Sequence, residues 1–296
     1  MSKKSAISNA EWLDSDEYPF QSKYLTLEQG NLHYIDEGDG PVILFVHGTP
    51  AWSFVYRKQI KALSNNFRCI AVDHLGFGLS DAPKDFSYTP LAHSGVLTQF
   101  ISKLGLQNIN LVVHDFGGPI GLSCAVKQPE LFHSLTILNT WAWPFDNDPQ
   151  VIKISKSLSG GMGKFLYQRL NFSAKYLLPK GFANKSLLSK EVHQHYLKPF
   201  NSASRRVGTW VFARELDGSS DFYAQLERQL DNLANIKTTI VWGMKDELIK
   251  ALHLQKWREI TQNFSNITFH EISHAGHFLQ EDAAKQVTMY ISQTAY

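Results

Sequence analysis

Two cysteines in 296 residues, Cys69 and Cys124, are too few for a disulfide framework or a thiolate metal site. Each lies in an apolar run, where a reduced thiol packs as core filler. No stretch approaches the roughly eighteen uninterrupted apolar residues of a transmembrane helix. The N-terminal MSKKSAISNAEWLDSDEYPF carries Lys3 and Lys4 with no apolar run behind them, so no secretory signal is read there, and the expectation is a cytoplasmic protein. A charge excess is also missing. With 29 basic and 27 acidic residues the formal net charge is +2, which gives no reason to expect nucleic acid or a membrane as partner. No repeat or low-complexity tract is visible.

What is present is a rhythm. Six short runs rich in β-branched residues recur with helical segments between them: VILFVHG (Val42 to Gly48), RCIAVDHLG (Arg68 to Gly76), INLVVHD (Ile109 to Asp115), SLTILNTW (Ser134 to Trp141), TTIVWGMKD (Thr238 to Asp246) and ITFHEISHAGH (Ile267 to His277). Continuous apolar character bounded by Gly, Asp or Asn is what strands buried on both faces of a parallel sheet need. The fold class that follows is α/β, a mostly parallel, doubly wound sheet. Ahead of it, KYLTLEQGNLHYIDEG alternates around Gln29-Gly30-Asn31 and predicts an antiparallel hairpin at the sheet edge. Between residues 144 and 235 the strand rhythm stops, with breaks at LSGGMG, Pro179-Lys180-Gly181 and Pro199. So long a loop without structure is improbable. The expected organisation is a core formed by residues 1–143 and 236–296 with a helical lid at 144–235 inserted between two strands.

The segment NINLVVHDFGGPIGLSCAV places Asp115 at a turn between a strand and a helix, followed by Gly117 and Gly118. Such a turn is crowded and needs small residues. The pattern is that of a nucleophile elbow, with aspartate at the serine position. A carboxylate there is also stabilised by the free N–H groups and dipole of the helix, so a plain N-cap is an equal reading of this segment alone. In FVHGTPAW, the N–H of Thr49 follows a His-Gly turn and can meet the N–H of Phe116 in an oxyanion hole. WGMKDE places Asp246, and ISHAGHFLQED places His277, just beyond later strands, with His274 the local alternative. Nucleophile, acid and histidine thus appear in the chain order of the α/β-hydrolase fold.

On DEYPF, LHYIDEG, HGTPAWSFVYR, GFGLSD, VVHDFGGPIGL, WGMKDELI and HAGHFLQE, the chain resembles the haloalkane dehalogenase branch of the α/β-hydrolase fold, with a loose match in the lid. The resemblance implies Asp115 as nucleophile on a saturated carbon, His277 as general base and Asp246 as the acid that orients it. Some relatives place the acid at the position of Asn139, which is not acidic here. No cofactor or metal is implied. The implied partners are a small apolar organic substrate and water; oligomeric state stays open, a monomer included. Attack by a carboxylate on an sp3 carbon gives an ester that water can cleave, so alkyl halides, epoxides and strained lactones fit better than common esters.

Two positions depart from the family. Tryptophan typically follows the nucleophile and asparagine or glutamate follows His-Gly; here these are Phe116, which has no side-chain donor, and Thr49, which offers a hydroxyl. Substitute contacts for substrate or leaving group are Trp141 and Trp143 after a strand end, and Tyr167, Tyr176, Tyr196 and Trp210 in the lid. A pair of lid tyrosines would suit an epoxide hydrolase. A non-catalytic protein of this fold that only binds a hydrophobic ligand is the alternative of another class.

Overall fold

Every apolar run singled out above becomes a strand of one eight-stranded sheet, seen in a computed structural model that describes residues 12–146 and 148–296. The Lys3-Lys4 stretch lies outside the described residues. Strands β1 (Lys23–Leu27) and β2 (Gly30–Glu37) form the expected antiparallel hairpin, in register Leu27 to Gly30. Then come β3 (Val42–Val46), β4 (Arg68–Val72), β5 (Ile109–His114), β6 (Phe132–Leu138), β7 (Lys237–Gly243) and β8 (Ile267–Ile272). The sheet order is β1-β2-β4-β3-β5-β6-β7-β8, and all pairs from β4 to β8 are parallel. The central β5 is buried at all six positions, as a strand covered on both faces must be. The edge strand β8 departs from that expectation and is mostly half-exposed, because no strand lies beyond it and Leu, Ile and Val give way there to Thr, His and Glu.

Helices cover both faces. The sheet carries α1 (Arg57–Leu63), α2 (Pro90–Lys103) and α3 (Gly117–Ala125) among the first strands. Between β6 and β7 come α4 (Pro149–Ser159), α5 (Gly161–Leu170), α6 (Leu178–Gly181), α7 (Lys190–Leu197), α8 (Val207–Gly218) and α9 (Ser220–Gln229). The chain closes with α10 (Leu252–Ile260), α11 (Leu279–Asp282) and α12 (Ala284–Ala295). The break read at LSGGMG is the junction of α4 and α5, and the one read at Pro179-Lys180-Gly181 is the end of α6 at Gly181. Cys69 and Cys124 are free and buried.

The helical segment is tied to the sheet by a buried charge cluster. Arg57 pairs with Glu281 and, at 2.7 Å, with Glu17; Lys58 reaches Glu281 at 2.9 Å. From α7, the Tyr196 hydroxyl donates to the same Glu281 at 2.7 Å, and the Trp52 indole N–H donates to the His195 carbonyl at 2.9 Å.

Candidate active site

The parallel register brings the C-terminal ends of β3, β5, β6 and β7 to one rim of the sheet, and the chain turns sharply at each. Asp115 follows β5 with φ +52°, a left-handed conformation that costs a non-glycine residue about 1–3 kcal/mol. Gly117 and Gly118 allow it: a Cβ at the first would strike the Val46 carbonyl, and at the second the Thr140 hydroxyl. The turn is held by the Asp115 N–H on the Asn139 carbonyl (3.3 Å) and the Gly118 N–H on the Asp115 carbonyl (2.9 Å). After β3, the His47 ring donates to the Gly48 carbonyl (2.7 Å) and accepts from the His74 N–H (3.0 Å), which fixes the turn that aims the Thr49 N–H. That N–H donates to Asp115 Oδ1 at 2.7 Å.

The other carboxylate oxygen, Oδ2, lies 3.5 Å from Nε2 of His277. Nδ1 of the same ring donates to Asp246 Oδ2 at 2.8 Å. Asp246 is saturated: Oδ2 also accepts from Asn139 Nδ2 (2.7 Å), and Oδ1 from the N–H groups of Leu248 (2.7 Å) and Ile249 (2.9 Å). Burial works against the charged ring of His277, but the Asp246 carboxylate, the Asp115 carboxylate beside Nε2 and the hydrogen bond to Asp246 outweigh it and raise its pKa to about 10. Burial likewise opposes ionisation of Asp246, yet its pKa is lowered, by the His277 charge and these donors. His274, the local alternative, is exposed.

Two residues here went unassigned in the sequence. In sequence Asn139 marks only a missing acid; in the structure it donates to Asp246 and accepts, through Oδ1, from the Gly243 N–H at 2.7 Å. His114 donates through Nε2 to the His277 carbonyl at 2.8 Å, and burial together with the neighbouring His277 charge lowers its pKa to about 3, so it stays a neutral strut. Its signal was a polar residue inside a fully buried strand.

Above Asp115 lies a cavity of about 350 Å3, walled mostly by apolar side chains that include Phe116, Phe145, Leu178 and Phe278. Of the six substitute contacts, Trp141 and Tyr167 line it. The other four are engaged elsewhere. Trp143 packs on Trp257 with ring centroids 5.0 Å apart, Trp210 donates to the Leu158 carbonyl at 2.9 Å, Tyr196 is held by Glu281, and Tyr176 points outward with 55% exposure. No tyrosine pair faces the cavity from these helices, so the arrangement expected for epoxide opening is not assembled. Two buried donors in the cavity wall, the Trp141 indole N–H and the Thr49 hydroxyl, have no partner among the described residues, and Trp141 meets the Phe116 ring edge-on at 4.8 Å. An unpaired buried donor is costly, so a pair of them beside one carboxylate marks where an acceptor belongs.

Sharp turns that carry reacting groups beyond parallel strands, with the histidine after the last strand, are the layout of an α/β-hydrolase, and the family model described as alpha/beta hydrolase fold matches residues 41–284. The chain belongs to the haloalkane dehalogenase-like enzymes of that family. It is 34% identical over 279 residues to haloalkane dehalogenase 2 of Mycobacterium tuberculosis, covering 94% of this chain and 96% of that one. It is also 33% identical to a cis-3-alkyl-4-alkyloxetan-2-one decarboxylase of Shewanella oneidensis, over 92% of this chain and 87% of the relative. Among solved structures, the haloalkane dehalogenase DatA of Agrobacterium tumefaciens shares the fold with a TM-score of 0.81 at 23% identity, covering 95% of this chain and all of that one.

Proposed function

We propose that the enzyme opens a small apolar substrate at a saturated carbon through a covalent ester on Asp115, under a lid formed by residues 144–235. The observation that supports this best is the asymmetry of the Asp115 carboxylate: Oδ1 is held by the Thr49 N–H while Oδ2 is turned toward His277. Oδ2 attacks the sp3 carbon, and the bond to the leaving group breaks with its electron pair, so the leaving group departs as an anion toward the Trp141 N–H and the Thr49 hydroxyl. Esterification removes one of the two carboxylates that hold the proton on His277. The ring then releases that proton to solvent along with the departing anion and becomes a base for water, whose oxygen adds to the ester carbonyl carbon as its proton passes to His277. The developing oxyanion on Oδ1 sits where the N–H of Thr49 already points, with Phe116 N–H as the second donor. Collapse expels the alkoxide, which takes a proton from His277, and regenerates Asp115. Asp246 keeps the ring oriented throughout.

A strained lactone is the second reading. The donor set admits it, since an indole N–H and a hydroxyl suit a departing carboxylate as well as a halide, and the similar decarboxylase of Shewanella oneidensis is named for a four-membered lactone. The test is His277→Phe incubated separately with 1-bromobutane, 1,2-dibromoethane and a cis-dialkyl oxetan-2-one. One substrate should leave a stoichiometric adduct on the peptide containing Asp115, seen by mass spectrometry, with turnover stalled. Continued turnover, or an adduct on another residue, overturns the reading.

A further inference from the structure

The whole-chain charge of +2 conceals a strong separation. Residues 149–200 hold eight lysines and Arg169 against a single acidic residue, Glu191, while the rest of the chain holds 20 basic and 26 acidic residues. All nine cations are exposed. The ion pairs among the described residues, such as Lys23 with Asp36 and Lys256 with Glu227, involve none of them. The same stretch also carries exposed apolar side chains: of ten large hydrophobic residues exposed among those described, five fall here, Ile154 (53%), Met162 (70%), Phe165 (52%), Leu170 (44%) and Tyr176 (55%).

These side chains adjoin the cavity. Ile154 on α4 both lines the cavity and stands exposed, as does Leu248 (42%), so the two mark its mouth. Lys153 and Lys156 flank Ile154, and on α5 Met162, Phe165 and Arg169 follow at spacings of three and four residues, along one helical face. Cations interleaved with exposed apolar groups match the chemistry of an anionic lipid surface: headgroup phosphates meet the lysines while Met and Phe enter the acyl boundary. Nucleic acid would use the charge and leave the apolar side chains in water, and a second copy of the same face would set like charges against each other.

We propose that this helical face docks on an anionic bilayer, with the cavity mouth turned to the lipid. Among the described residues no helix is long and apolar enough to cross a membrane. Docking would deliver an apolar substrate from the lipid phase directly to the cavity; that consequence rests on the function proposed above, whereas docking itself does not. The experiment is co-sedimentation of the full chain with vesicles of phosphatidylcholine alone or with about one third phosphatidylglycerol, a choice anchored on anionic-lipid recognition. Binding should require phosphatidylglycerol and fall with salt. Lys153→Glu/Lys156→Glu/Lys164→Glu should weaken it on the order of a hundredfold. Ile154→Ser/Met162→Ser/Phe165→Ser should weaken it about tenfold, and Lys103→Glu on α2 should have no effect, all four proteins being checked by circular dichroism. Equal partition onto the two vesicle types overturns the proposal. So does wild-type binding by the serine variant, equally tight binding of single-stranded RNA, or a dimer in sedimentation that these serines dissociate. None of these readouts needs turnover, so a failed Asp115 chemistry and a failed docking face are told apart.

Discussion

The two sides of Asp115 differ in how completely their polar groups are paired. Toward His277, Asp246 accepts four hydrogen bonds and the imidazole is held through its ring and its backbone carbonyl. Toward the cavity, the Trp141 N–H and Thr49 hydroxyl are buried in an apolar wall without partners among the described residues. The saturated side is built in advance around Asp246, and of its ring nitrogens His277 Nε2, turned to Asp115, and His114 Nδ1 make no hydrogen bond. A fully paired Asp246 suits a group that, in the reaction proposed above, holds one geometry through two chemical steps. The unsaturated side keeps its donors for something that arrives. On the function proposed above, pairing separates the part of the site that performs the reaction from the part that selects what reacts.

The largest break in that comparison is Asp115→Ala, which removes the group both sides serve; steady-state turnover of any true substrate should drop by at least about ten-thousandfold. Activity within tenfold of wild type would show a different nucleophile. Next, Trp141→Phe keeps the ring and deletes the donor. It should slow ester formation by on the order of a hundredfold, about 3 kcal/mol, with little change in the later hydrolysis step, read by single-turnover kinetics. The converse gain is expected from Phe116→Trp with Thr49→Asn, which places two N–H groups at the family's donor positions and should raise halide release from 1,2-dibromoethane. No gain in a folded double variant would leave Trp141 as the sufficient donor.

On the saturated side, Asn139→Ala leaves an Asp246 oxygen short of one donor and should lower kcat about tenfold, corresponding to roughly 1–2 kcal/mol, with KM unchanged. The smallest effect is on stability. Since the folded pKa of His277 lies near 10, its contribution is fully present below its unfolded value of about 6.5 and is lost as pH rises toward 10. Asp115→Asn removes one of the charges behind that rise, so the loss should be complete at a lower pH, measured as urea midpoints at a series of pH values. Identical pH profiles for the two proteins would mean that Asp115 does not hold the proton.

Strand positions were legible because a buried parallel strand has little choice of residue. All six runs begin within two residues of the observed strands, yet each passes its strand's end: VILFVHG, INLVVHD and ITFHEISHAGH run beyond Val46, His114 and Ile272 by two, one and five residues. The overrun is where the turns with Thr49, Asp115 and His277 begin: the apolar run does not announce the point at which pairing stops and the rim of the site starts. Asp115, Asp246 and His277 were readable from local motifs, since a strained turn demands particular neighbours such as Gly117 and Gly118. The aromatic contacts were not. Whether Tyr196 reaches the cavity is decided by Glu281, 85 positions away in the chain, and the fate of Trp210 by the Leu158 carbonyl, 52 positions away. Nothing in the periodicity of a helix encodes such partners. Likewise the +2 sum could not reveal that residues 149–200 carry the positive charge.

The Glu281 cluster bears on how the molecule comes apart. Glu281 is shared by Arg57 and Lys58 from α1 and Tyr196 from α7, and it lies four residues beyond His277. Removing one partner of a buried charge pair costs about 3–5 kcal/mol, so neither the helices between β6 and β7 nor the sheet can open far without exposing that debt in the other. The two should melt in a single transition, and slow hydrogen exchange in α7 should track that of the central strands rather than that of an independent flap. An opening of the cavity that leaves this cluster intact would move α4 and α5, which carry Ile154 and Tyr167 in its wall, while α7 stays tied to Glu281.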